Sequence, residues 1–400
     1  MLSRPDITPY LGSLLKFRRD IHANPELKFE EVRTSDQIAA YLESLGLQVH
    51  RGMGKTGVVA SLKGTGPNAG DADRTLALRA DMDALPIVEK NGFEHVSKNI
   101  GRMHACGHDG HTAMLLGGAT LLSKNPDFDG TVHFIFQPGE EGGAGAQKMI
   151  EDGLFEKFPA KAVFALHNWP PLPSGQMAVR VGPIMAATDK IEITICGKGG
   201  HAAQPHSTVD PIPVACALVM QLQTLVSRTV NPLDSAVLTI AQIEAGTAVN
   251  IIPFEAKISG TLRTLGTETQ AQLLRAIERM SNHVAAAHGT TAKVELTKGY
   301  PCTDNHRNEA QFMAEIMAEC VGQENAFPDV LPAMTGEDFS FMLLKVPGAY
   351  GFIGNGLNGL PGINLHTAEY DFNDDNLTIG SQFWDRLVRR WFEKPTGQTA

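Results

Sequence analysis

The chain has 400 residues, 42% hydrophobic and 20% charged, with a formal net charge of -10. That length exceeds one ordinary core and points to two domains. The acidic balance disfavours nucleic acid and anionic membrane as partners, but leaves a small anionic substrate open, because a local cationic pocket can outweigh the global sign. The cysteines (Cys106, Cys196, Cys216, Cys302 and Cys320) are scattered and odd in number, which fits a reducing, cytoplasmic setting without a disulfide framework. Residues 1–20 carry Arg4, Asp6, Lys16 and two prolines, so no secretory leader is expected. No run approaches the ~18 apolar residues that span a bilayer, and no membrane association is expected.

In chain order, 10–23 and 34–45 read as amphipathic helices, and 75–80 as a buried strand ending at Asp81 and Asp83. Residues 112–122, rich in Ala, Leu and Gly, read as a helix, 131–136 as a strand and 145–152 as a short helix. A third buried strand, 162–166, ends at His167. Strands alternating with helices imply a largely parallel α/β sheet. The polar residues of interest fall just past the carboxyl ends of these strands, where open α/β sheets place their ligands.

From about Ala187 the texture changes. Strand 190–196, helix 211–228, strands 236–244 and 255–262, helix 267–287 and strand 292–297 give the βαββαβ order of a ferredoxin-like sandwich. The expected layout is a domain of 187–298 inserted into one built from 1–186 and 299–400, with hinges near 186–188 and 298–301. Only 395–400 reads as a frayed tail.

Met103 to His111 gathers one thiol and three imidazoles among glycines, and Gln137 to Gly143 sets Glu140 beside Glu141 in another glycine-rich turn. Thiolate, imidazole and carboxylate together bind borderline divalent metals. Neighbouring carboxylates in an extended turn point apart, so one can bind metal while the other acts as general base on a water activated by the ion. Cys106 and His108 are the first candidate ligands. His104 and His111 stay outside the ligand set, His111 as a helix cap. Asp81 or Asp83 can orient a ligand imidazole. His167 and His366, each alone, read more simply as ordinary histidines.

These segments, with Arg79 to Pro86, Ala165-Leu166-His167, Gly199 to Ala203, Asn250 to Pro253 and Gly336-Glu337-Asp338-Phe339, resemble the M20 metallopeptidase/amidohydrolase family. Within it, the chain most resembles the branch of hippurate hydrolases and auxin-conjugate hydrolases. The resemblance implies a di-metal hydrolase domain with an inserted lid, and two divalent ions (Mn, Zn, Co or Ni) held by Cys106, His108, Glu141, His167 and His366. Cys106 would bridge the ions, Glu140 would be the general base and Asp83 the orienting aspartate. His201 would stabilise the oxyanion, from its own or a partner subunit, and Asn250 and Arg263 would hold a substrate carboxylate. Other branches carry a ligand histidine where this chain has Asp81, so Asp81 is not assigned to metal.

The reaction so implied is metal-dependent hydrolysis of an N-acyl-amino acid, with a dipeptidase or carboxypeptidase as the nearest alternative. A cysteine-nucleophile amidase built on Cys106 and a structural or redox-sensing metal protein are rivals of other classes. The edge strands of the inserted domain offer a surface for a homodimer or higher homo-oligomer. Residues 327–334 are candidates to line the acyl pocket.

Overall fold

The structure, a computed structural model, describes residues 6–357 and 359–393; the tail expected at 395–400 lies outside them. Its principal strands are β1 (Gln48–Met53), β2 (Gly57–Lys63), β3 (Thr75–Asp81), β4 (Thr131–Gln137), β5 (Ala162–Pro173), β6 (Ala187–Cys196), β7 (Ala236–Ala245), β8 (Glu255–Thr264), β9 (Thr291–Lys298) and β10 (Gly348–Gly356). The principal helices are α1 (Thr8–Ala23), α2 (Val32–Ser44), α3 (His108–Lys124), α4 (Pro211–Thr229), α5 (Thr267–Ala287), α6 (Arg307–Val321) and α7 (Asn376–Glu393).

Two compact units divide the chain. The first comprises Met1–Gly182, Asp304–Leu331 and Asp338–Ala400; the second comprises Pro183–Thr303 and Pro332–Glu337. The segment Pro332–Glu337 belongs to the second unit, which the sequence pattern does not reveal. Backbone pairing explains it, because the amide of Ala186 donates to the carbonyls of Ala333 and Thr335.

The first unit is built on one eight-stranded sheet ordered β1-β2-β4-β3-β5-β10, closed by two-residue strands at Met177–Ala178 and Ala326–Phe327. Its centre, β4-β3-β5-β10, is parallel, while β1 and β2 pair antiparallel. Every residue of β3 and β10 is buried, as expected of strands covered on both faces. Helix α3 packs against α1 and α7. Gly117 and Gly118 make that approach possible, since a Cβ at either would fall 1.9 Å from Ser381 Oγ or 2.5 Å from Trp384 Cβ.

One detail differs from the strand pattern. β5 does not end at His167 but runs on to Pro173. Its pairing with β3 stops at Arg79–Ala165, whereas β10 stays in register beyond His167, which lies opposite Phe352. Beyond Ala165, β5 therefore loses one neighbour and keeps the other.

The second unit is a four-stranded antiparallel sheet ordered β7-β8-β6-β9, with chain order βαββαβ. Alternate residues of β6 and β8 are buried, and Ile191, Ile193, Ile195, Ile258 and Leu262 form one core with Leu218, Leu222, Leu273 and Ile277 of α4 and α5.

Candidate metal centre

The cysteine turn is fixed by backbone geometry before any side chain is considered. Gly107 sits at φ 86°, and a Cβ there would fall 2.2 Å from Asn168 Nδ2 and 2.5 Å from the Tyr370 hydroxyl. Glycine is the residue for that conformation. Asn168 Nδ2 donates to the Cys106 carbonyl at 2.6 Å, and the Tyr370 hydroxyl donates to Asn168 Oδ1 at 2.7 Å, so the turn is held from below.

Cys106, His108 and Glu141 bring their donor atoms within 4.8 Å of one another. His167 Nε2 lies 3.5 Å from Cys106 Sγ, and His366 Nε2 lies 3.1 Å from Glu141 Oε1. All five expected ligand positions are thus linked by short separations inside the first unit. Two donors sharing one zinc-like ion at tetrahedral angles stand about 3.3–3.6 Å apart, given bond lengths near 2.0–2.3 Å. The spacings fit.

Hydrogen bonding fits as well. His108 Nε2 is buried with no hydrogen-bond partner among the described residues, and the buried Glu141 Oε1 meets the His366 ring at 3.1 Å without hydrogen-bond geometry. Such an atom is costly unless something else satisfies it, and a cation between them would. The other nitrogen of His108 faces Asp83 Oδ1 at 3.2 Å. His167 Nδ1 faces the Asn168 carbonyl at 2.6 Å, which places the proton on Nδ1 and turns the lone pair of Nε2 toward Cys106. Burial, with His111 nearby, holds His167 well below the usual imidazole range. Burial also opposes charge on His108, but Asp81 and Asp83 outweigh it and raise that ring to about 10.

Asp81, His108, His111 and His167 form a second grouping of possible ligand atoms. Two of its members are already committed. His111 Nδ1 meets Asp81 Oδ1 at 2.6 Å while its Nε2 accepts the Asn168 amide at 2.8 Å. Asp81 Oδ2 accepts from Arg79 at 2.8 Å. His111 links Asp81 to the Asn168 amide rather than capping a helix, since α3 already begins at His108.

Asp83 has three donors. Besides His108, it accepts the amides of Glu140 and Glu141, each at 3.0 Å. Within that turn Gly139 (φ 61°) and Gly142 (φ 70°) are left-handed and Glu141 is non-helical, so consecutive carboxylates diverge. His366 also adopts a left-handed φ of 61°. For a non-glycine residue this is strain of the kind that surrounding structure must hold in place, and its amide is tied to the Ala105 carbonyl at 2.8 Å.

The remaining candidates lie in the second unit. His201 pairs with Ile251, and the Ala202 amide donates to the Asn250 carbonyl, so His201 and Asn250 are neighbours on an exposed turn. His201 Nδ1 accepts the Ala203 amide at 3.0 Å, which leaves Nε2 as a donor. Arg263 is elsewhere. It stands opposite Thr188, eight residues along β6 from Cys196, beyond which His201 lies. At ~3.3 Å per strand residue that is about 26 Å. Its guanidinium is near Gly336, where a Cβ would come within 3.5 Å of Nη1. Of the segment 327–334, Phe327 lines a shallow groove with Val181, Ala314 and Met317.

Comparison with known proteins agrees with this geometry. Residues 77–390 match the model of Peptidase family M20/M25/M40. The chain is 38% identical to the hippurate hydrolase of Campylobacter jejuni over 97% of its own length and 99% of the relative's. It is 40% identical to the IAA-amino acid hydrolase ILR1-like 4 of Arabidopsis thaliana, covering 94% and 85% of the two chains. The crystal structure of the Bacillus subtilis YXEP protein, a dinuclear metal binding peptidase from the M20 family, superposes with a TM-score of 0.83 at 34% identity, over 97% of this chain and 99% of that one. A buried thiol–imidazole–carboxylate centre on a mostly parallel sheet, matched over nearly the whole chain, makes this protein a member of the M20/M25/M40 peptidase family.

Proposed function

We propose that this metal-dependent amidohydrolase cleaves N-acyl-amino acids, with Glu140 as general base and Cys106, His108, Glu141, His167 and His366 holding two divalent ions. The observation that carries the reading is the division of labour in the acidic turn. Glu141 joins the donor cluster of Cys106 and His108, while Glu140, its amide on the same Asp83, stands outside that cluster.

When bound, the ions supply Lewis-acid polarisation of the amide carbonyl and an acidified water. Glu140 would take a proton from the water that attacks the amide carbonyl and return it to the leaving amine. Asp83 keeps the His108 ring oriented and the turn in place. His201 donates from Nε2 to the oxyanion, a role that fits the tautomer set by Ala203. Asn250 and Arg263 recognise the substrate carboxylate, Arg263 through its planar fork of donors.

His201 and Arg263 of one chain are too far apart along the sheet to hold one small substrate. This supports a homodimer in which each site draws on two copies of the inserted lid domain (187–298). The exposed edge strand β7, with Val237 and Ile243 on its surface, is the surface for that pairing. Mixing inactive His201→Ala and Arg263→Ala chains should restore activity; a mixture as dead as its parents would remove the shared-site reading. We place the protein in the cytoplasm, in keeping with its dispersed cysteines, odd in number. Among the described residues no helix is long and apolar enough to cross a membrane.

Glu140→Gln tests the mechanism. The variant should keep its metal and lose most turnover, whereas near-normal activity would sink the assignment. Hydrolysis of N-benzoylglycine, other N-acyl-amino acids and dipeptides, before and after chelation, separates the acylase from the dipeptidase or carboxypeptidase reading. The 3.5 Å contact between Cys106 and His167 also suits a nucleophile with its base. That reading gives His108, Glu141 and His366 no task, and it requires activity to survive chelation.

A further inference from the structure

Residues 28–31 lie against the acidic turn and have no part in the mechanism above. Glu31 is fully buried. One of its carboxylate oxygens accepts the Gly139 amide at 2.9 Å, and the other accepts the Thr56 hydroxyl at 2.6 Å. Since Asp83 takes the amides of Glu140 and Glu141, two carboxylates hold three successive amides of the turn. Phe29, itself left-handed at φ 63°, lays its ring on the same segment. A Cβ on Gly139 would meet that ring at 2.7 Å, and one on Gly143 at 2.8 Å. Lys28 Nζ completes the grip by donating to the Glu141 carbonyl at 2.9 Å.

We propose that Glu31 is a positioning residue for amide hydrolysis, acting through the Gly139 amide to fix where the Glu140 carboxylate stands. The inference rests on the reading of Glu140 as base. Its physical basis is the turn's composition. Gly139 and Gly142 have no Cβ to restrict them, and the Gly139 amide, buried without Glu31, would lose its acceptor. Rotation at Gly139 carries Glu140 with it, and a shift of ~1 Å in a reacting group costs on the order of 100-fold in rate.

The bracket does not require a charge on Glu31. Burial, then the nearby Asp83, raises this carboxyl to about 7. As the neutral acid it still accepts from Gly139 with its carbonyl oxygen and donates to Thr56 with its hydroxyl. Glu31→Gln reproduces that pattern of one acceptor and one donor. Glu31→Asp keeps the charge but falls one methylene short of spanning both partners.

The test compares Glu31→Ala, Glu31→Asp and Glu31→Gln in the metal-loaded enzyme. It reads kcat, KM, metal per chain, and amide exchange of the Gly139 segment. Ala and Asp should lower kcat about 10–100-fold with KM and metal content little changed, and should speed exchange at Gly139. Gln should restore kcat to within about threefold and slow that exchange again. A folded Ala or Asp variant with wild-type kcat overturns the proposal. So does a loss of turnover that tracks loss of metal, or a Gln variant as impaired as Ala. If the Ala chain fails to fold, the Asp variant decides. Glu140→Gln run in parallel keeps the two readings apart: its full activity would remove the base assignment, while Gly139 exchange reports the bracket by itself.

Discussion

The first unit buries most of its candidate donor atoms among partners, with His366 half-exposed, and the second leaves His201 and Asn250 exposed and Arg263 half-buried. His108, His167, Asp81, Asp83 and His111 are all buried, and each holds at least one short contact to a carboxylate, carbonyl or amide. His201 and Asn250 are exposed, and the contacts that place them join two short surface segments, 200–203 and 250–252. The difference follows from what each half must do. A cation site needs its ligands fixed before the ion arrives, so that little is lost in organising them. A group that meets substrate must be reachable, and its remaining partners come from the substrate or from a second copy.

Substitutions can break this contrast from either side. Cys106→Ala should have the largest effect, removing metal and all detectable hydrolysis together; metal analysis showing full occupancy with activity intact would refute the buried-centre half. His201→Ala should lower kcat by ~10²–10³ while the melting temperature stays within about 2 °C, since the proposed oxyanion donor sits on an exposed segment. A large fall in stability would place His201 among the structural residues instead. Asp83→Asn should weaken metal affinity by ~10–100-fold, since the amide offers one acceptor oxygen where the carboxylate serves three donors. Calorimetric titration of the metal-free protein would show it, and unchanged affinity would count against the orienting role.

The smallest effect sharpens the contrast by pH. Burial drives His22 toward neutrality, but Asp109 at 2.8 Å and Glu89 at 3.2 Å prevail and raise it to about 9. A raised histidine stabilises the fold fully below its unfolded value near ~6.5, and that contribution is lost as pH rises through about 9. Its upper limit is about 3 kcal/mol. The loss should fall on the first unit, which holds His22 and both of its carboxylate partners. Thermal unfolding from pH 6.5 to 9.5 checks this; His22→Ala should flatten the profile, and an unaltered slope would assign it to other groups.

Much of the site was legible before any tertiary contact was known. The motif around Cys106, the paired glutamates and the strand-terminal aspartates announced a metal-binding chemistry, and resemblance supplied His167 and His366. Glu31 was invisible by comparison. It is 108 residues from Gly139, and in the sequence it is one acid among several at the start of a helix. Likewise His111 could be read as a cap, because its second partner, the Asn168 amide, comes from another strand.

Local order came from the chain itself. Apolar runs in β3 and β4, alternation in β6 and β8, and glycines at tight turns constrain short stretches through sterics and burial, and those constraints act over a few residues. The tertiary structure alone decided which groups face one another. It extended β5 past His167 along β10, carried 332–337 into the second unit, separated Arg263 from His201, and set Glu31 behind the turn that carries Glu140. Each of these depends on pairing between distant segments, where a hydrogen bond or a packed ring is chosen by the whole fold and leaves no periodic trace in the sequence.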